Sequence, residues 1–100
     1  MARILLAEDE DVLRMLVLDT LEDEGYTIDE ATDGDEAYQK IMNAEYDLVL
    51  LDYMMPGMTG IEVIEKVRQH PDKQHLKIMM LTAKSQQSDR ERAEEIGANY

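Results

Sequence analysis

Three acids and a hydroxyl stand where they can share one piece of chemistry. Glu8 and Asp9 directly follow the apolar run Ile4-Leu5-Leu6-Ala7, Asp52 follows Leu48-Val49-Leu50-Leu51, and Thr82 follows Ile78-Met79-Met80-Leu81. Carboxylates gathered without a basic partner repel one another, and some then keep their protons. A hard cation resolves that conflict. Mg²⁺ takes oxygen ligands and is commonly held by one or two carboxylates together with phosphate oxygens. A carboxylate in line with a phosphorus centre beside such an ion can act as nucleophile and form an acyl phosphate. A hydroxyl on the same edge, here that of Thr82, can donate to a phosphoryl oxygen.

Such a meeting requires elements that carry all four residues to one place. Arg3 to Ala7 reads as a strand buried on both faces, and so does Leu48 to Leu51. Between them, Asp11 to Glu24 reads as a helix with Leu13, Leu16, Val17 and Leu21 on one face and Gly25 as its stop. Met15 and Leu18 fall off that stripe, either as flank packing or as an exposed contact surface. Tyr26 to Ala31 is a weaker, alternating strand, and Asp33-Gly34 a turn. A short helix, Glu36 to Asn43, turns Ala37 and Ile41 inward, with Tyr38 or Met42 beside them.

After Asp52, the residues Pro56, Gly57 and Gly60 break regular structure. Thr59-Gly60-Ile61-Glu62 is a capping box that opens a helix carrying Ile61, Val63, Ile64 and Val67, with Pro71 marking its end. Leu76 to Leu81 is a fourth strand, and Ser85 or Ser88 caps a last helix reaching Ile96 on a thin apolar face. This alternation predicts an α/β fold in one domain, residues 1–100: a doubly wound parallel sheet with helices on both faces. Right-handed crossovers put every strand's carboxyl end on one edge, so Glu8, Asp9, Asp52 and Thr82 should converge there.

Composition narrows the function. The chain has 100 residues, is 44% hydrophobic and 33% charged, and carries a formal net charge of -13. That charge argues against nucleic-acid binding by this segment, because phosphate contacts need Lys and Arg. There are no cysteines, so neither a disulfide framework nor thiolate chemistry is available. No apolar run approaches a membrane span, and the expected compartment is the cytoplasm.

Taken together, Ile4-Leu5-Leu6-Ala7-Glu8-Asp9-Glu10, the stretch from Asp47 through Asp52-Tyr53-Met54-Met55-Pro56 to Gly60, and Leu81-Thr82-Ala83 followed by Gly97-Ala98 resemble a response-regulator receiver domain of the CheY-like, flavodoxin-like kind. The resemblance runs over the whole chain. It implies that Asp52 is the phosphoacceptor, charged by a histidine kinase or a histidine phosphotransfer protein. It implies that Asp9, Asp52 and the backbone carbonyl of Met54 ligate Mg²⁺, with Glu8 acting directly or through water. Thr82 corresponds to the hydroxyl that swings toward the phosphoryl group, and Ala83 to the small residue that leaves it room. Met54 and Lys84 would border the path of a hydrolytic water. The family also has a fifth strand and fifth helix, with an aromatic residue and a lysine, that would fall beyond Tyr100. Their absence leads us to expect an incomplete site and an exposed sheet edge prone to self-association or swapping.

Other readings stand beside this one. A phosphatase or phosphotransferase of the aspartyl-nucleophile type needs a second acid two residues after the nucleophile, and that position is Met54. An inert or structural receiver fragment is the other alternative. Arg14, Met15 and Leu18, near the site edge, are candidates for docking a kinase's helical phosphotransfer domain. Met55, Met79 and Met80 read as core, and His70 and His75 as solvated loop residues.

Overall fold

The two most apolar runs become the two inner strands of the sheet. The computed structural model describes residues 2–81. Its elements are β1 (Arg3–Ala7), α1 (Asp11–Asp23), β2 (Thr27–Ala31), α2 (Gly34–Asn43), β3 (Leu48–Leu51), α3 (Gly60–Arg68), a 3-10 turn (Pro71–Lys73) and β4 (Ile78–Met80). The strands are all parallel in the order β2-β1-β3-β4. β1 and β3 are thus covered on both faces, which is why their sequences run apolar without alternating.

Strand alternation divides the core in two. Leu5, Ala7, Val49, Leu51 and Ile78 pack against Ala37 and Ile41 of α2 and against Ile61, Val63, Ile64 and Val67 of α3. Ile4, Leu6 and Leu50 face the other way, onto Val17, Leu18 and Leu21 of α1. Helices therefore cover both faces, as the β-α-β alternation predicts. The expected last helix, 85 to 96, lies outside the described residues, as do Thr82, Ala83 and Lys84.

The expected stripe on α1 is corrected. Leu18 packs on the core, whereas Leu16 is 61% exposed beside Val12 and Met15. Apolar residues surround most of this helix, so spacing alone admits more than one stripe. The face laid on the sheet runs Arg14, Val17, Leu18, Leu21, at i, i+3, i+4 and i+7. Smaller corrections concern helix and strand ends. α2 begins at Gly34 because the Asp33 side chain caps it, accepting from the Glu36 amide at 2.7 Å. β4 is shorter than the run Leu76 to Leu81, and α3 closes at Arg68, ahead of Pro71. His70 is not simply solvated: its Nε2 lies 3.0 Å from the Tyr38 hydroxyl, joining α3's end to α2.

Candidate functional site

The strand order places the site. β1 connects through α1 to β2 on one side, while β3 connects through α3 to β4 on the other. The carboxyl ends of β1 and β3 are therefore neighbours at the point where the chain changes direction, which in open α/β sheets forms a crevice. Glu8 follows β1 and Asp52 follows β3, each held by a continuing ladder bond. The Asp52 amide donates to the Ala7 carbonyl at 3.0 Å, and the Glu8 amide to the Ala31 carbonyl at 3.0 Å.

Oxygens of Glu8, Asp9 and Asp52 lie within 4.8 Å of one another. Glu8 and Asp52 are buried, and Asp9 is exposed at the mouth. Glu8 Oε2 accepts from the Glu10 amide at 3.2 Å, but the buried Glu8 Oε1 has no hydrogen-bond partner among the described residues. Burial, followed by the adjacent Asp52 carboxyl, pushes the Glu8 carboxyl up to about 7. A buried acid with an orphaned oxygen beside two further carboxylates is a donor set made only of hard oxygens. These residues fit Mg²⁺, which favours such ligands.

The loop after Asp52 is closed tightly. The Gly60 amide donates to the Tyr53 carbonyl at 2.8 Å, and the Gly34 amide of α2 donates to the Pro56 carbonyl at 3.1 Å. Gly57 has φ +78, the left-handed region that glycine adopts most readily. A Cβ on Gly60 would overlap the Asp52 carbonyl oxygen, and one on Gly34 would overlap that of Met58. Both close approaches bring a helix start against the loop. Thr59 caps α3, accepting from the Glu62 amide at 3.2 Å while Glu62 accepts from the Thr59 amide at 3.3 Å. This bracing leaves the Met54 side chain 57% exposed on the loop that begins beside Asp52.

The sequence candidates fall into three groups. Glu8, Asp9 and Asp52 come together. Thr82 and Ala83 lie outside the described residues; the chain is followed to Leu81, whose amide donates to the Leu51 carbonyl at 2.9 Å. Arg14, Met15 and Leu18 do not form one free surface. Leu18 is packed, Met15 is exposed, and Arg14 is 14% exposed and bonded to Asp11, Glu30 and the Glu8 carbonyl. The exposed apolar residues of α1 are instead Val12, Met15 and Leu16. The roles of Arg14 and Gly34 were missed, although the acid–base spacing of Asp11 and Arg14 was a usable signal.

Comparison with known proteins finds the same family by sequence and by fold. The profile described as the response regulator receiver domain matches residues 4–100. The chain is 46% identical over 97 residues to the transcriptional regulatory protein ResD of Bacillus subtilis (strain 168), covering 97% of this chain and 39% of that protein. It thus spans about two fifths of that relative's length. Among solved structures it superposes on the chemotaxis response regulator CheY4 of Vibrio cholerae with a TM-score of 0.91, at 35% identity, covering 98% of this chain and 82% of that one. It also superposes on the response regulator TrrA of Thermotoga maritima, solved in complex with Mg(2+)-BeF, with a TM-score of 0.87 at 40% identity, covering 99% and 83% of the two chains.

Proposed function

The chain belongs to the response regulator receiver domain family, and from that premise we propose that Asp52 is its phosphoacceptor in a two-component system. The observation that carries this reading is the packing of Glu8 and Asp9 against Asp52 at the crevice between β1 and β3. A carboxylate oxygen of Asp52 attacks the phosphorus of a phosphohistidine on a histidine kinase or a histidine phosphotransfer protein. The phosphorus–nitrogen bond breaks, the imidazole leaves with the electron pair and takes up a proton, and an aspartyl phosphate remains. The role is that of a signalling switch in the cytoplasm, with no substrate turned over beyond the domain's own phosphoryl group.

Glu8, Asp9, Asp52 and the Met54 carbonyl would hold Mg²⁺. When bound, the ion offsets negative charge on the transferring phosphoryl oxygens. Glu8 brings a buried oxygen with no hydrogen-bond partner among the described residues, and Asp9 brings an exposed carboxylate at the mouth. Thr82 and Ala83 complete the proposed site as the responding hydroxyl and the small residue beside it. The Met54 side chain has no group that can orient a water molecule, so the aspartyl phosphate should be long-lived. Replacing Met54 with Asn should speed its loss, and an unchanged lifetime would count against that part of the reading.

The central test uses mass. Incubation with acetyl phosphate and Mg²⁺ should add a single phosphoryl group, and neither Asp52→Asn nor omission of Mg²⁺ should allow it. An adduct that survives Asp52→Asn, or no adduct on the wild-type chain, would overturn the assignment.

A further inference from the structure

Arg14 belongs to the face of α1 that meets the sheet, and its guanidinium is shared among three segments. Nη1 donates to the Glu8 carbonyl oxygen at 2.9 Å, Nε to Glu30 Oε1 at 3.1 Å, and Nη2 to Asp11 Oδ1 at 2.6 Å. One side chain thus joins the loop after β1, the edge strand β2 and the first turn of α1. The Glu8 carbonyl belongs to the peptide unit that links Glu8 to Asp9, and a peptide unit is planar. Fixing that oxygen fixes the direction from which Asp9 departs relative to Glu8. The amide on the other side of Glu8 is already tied to Ala31, so the residue is held from both ends.

We infer that Arg14 is a positioning residue for the Glu8–Asp9 carboxylate pair, holding the pair's shared peptide in the orientation a divalent cation needs. The inference rests on the reading of Glu8 and Asp9 as cation ligands. Arginine suits the task because a planar fork can serve three acceptors at once. A lysine ammonium is a single point of charge and cannot span a helix, a loop and a strand together. Residues that orient ligands without touching the metal commonly change affinity by about tenfold or more when lost.

Mg²⁺ titrations of the 100-residue chain, followed by the amide chemical shifts of Glu10 and Tyr53, test this against a simple loss of stability. Arg14→Met should weaken Mg²⁺ binding about tenfold, and Arg14→Lys should weaken it by more than about twofold but less than Arg14→Met does. Ile41→Val, a buried substitution in α2 on the other face of the sheet, should lower the melting temperature yet leave Mg²⁺ affinity within about twofold. Arg14→Met or Arg14→Lys binding within about twofold of the wild type would overturn the inference. So would a loss in Ile41→Val as large as that in Arg14→Met, since affinity would then follow stability alone. If Arg14→Met fails to fold, Arg14→Lys decides by the same thresholds. A wild-type chain that shows no Mg²⁺-dependent shift would instead sink the cation-site reading itself, a result distinct from equal binding by wild type and variants.

Discussion

Glu8 and Asp52 leave adjacent parallel strands at the same level of the sheet: Ala7 pairs with Leu51, and the two acids that follow are both buried. Parallel pairing in this register makes a close approach of the two carboxyls unavoidable. The price of that approach is visible in Glu8, whose carboxyl is pushed up to about 7 by burial and by its neighbour. The fold therefore stores an electrostatic conflict where the proposed function needs a cation.

That conflict predicts a pH dependence for the metal-free chain. Glu8 takes its proton at about 7 when folded, against 4.5 as its ordinary value. Between those limits the folded state binds more protons than the unfolded state, so stability falls as pH rises through this window and levels off above it. Denaturant melts in EDTA should show that fall. Glu8→Gln should flatten it, by roughly 1–3 kcal/mol across the window. Parallel pH profiles for the two proteins would refute the assignment to Glu8.

Asp52→Asn removes a charge that disfavours ionised Glu8. The Glu8 midpoint should move down toward its ordinary value, and the metal-free protein should gain stability at neutral pH. A gain of about 1 kcal/mol corresponds to roughly 4–8 °C in melting temperature for a domain of this size. Calorimetry at pH 7 with EDTA measures it, and a lower melting temperature than wild type would contradict the prediction.

Gly60→Ala drives a methyl group into the Asp52 carbonyl oxygen, with the Met80 side chain close on another side. Backbone cannot yield there without moving the acid itself. The expected cost is about 1–3 kcal/mol, the usual range for overpacking, together with weaker Mg²⁺ binding. Urea melts and Mg²⁺ titrations of this variant should both change; a neutral result in both would show that the loop gives way freely.

Thr59→Ala breaks the capping box that starts α3. Loss of such a cap costs about 1 kcal/mol. Because Thr59 also ends the loop that begins after Asp52, amide exchange should quicken at Glu62 and Val63, and Thr59→Ser should restore protection. Unchanged exchange in the alanine variant would show that tertiary packing alone holds this turn.

The fold was legible in the chain for local reasons. β1 and β3 announce themselves as apolar runs because both their faces are buried, and the capping box at Thr59 and Glu62 is a contact between residues three apart. The order of elements was enough to bring Glu8 and Asp9 to the edge that Asp52 occupies, because parallel crossovers leave few alternatives. α1 was not legible in the same way. Its apolar residues lie on several faces, so only the sheet beneath it decided that Leu18 turns in and Leu16 turns out. The bonds of Arg14 to Glu30 and to the Glu8 carbonyl were not legible either, because those partners come from other segments.

The same holds for Lys73, buried at 5% exposure with Nζ donating to the Ala44 carbonyl at 3.3 Å, and for Asp29, which accepts from both Arg3 and the Tyr46 hydroxyl. Among the described residues, the sequence by itself determined the strands and helices, the class of sheet and the acids at its edge, since these follow from local pattern and connectivity. Only the tertiary structure decided which polar side chains are bound to what, because those partners come from distant segments and carry no local signature.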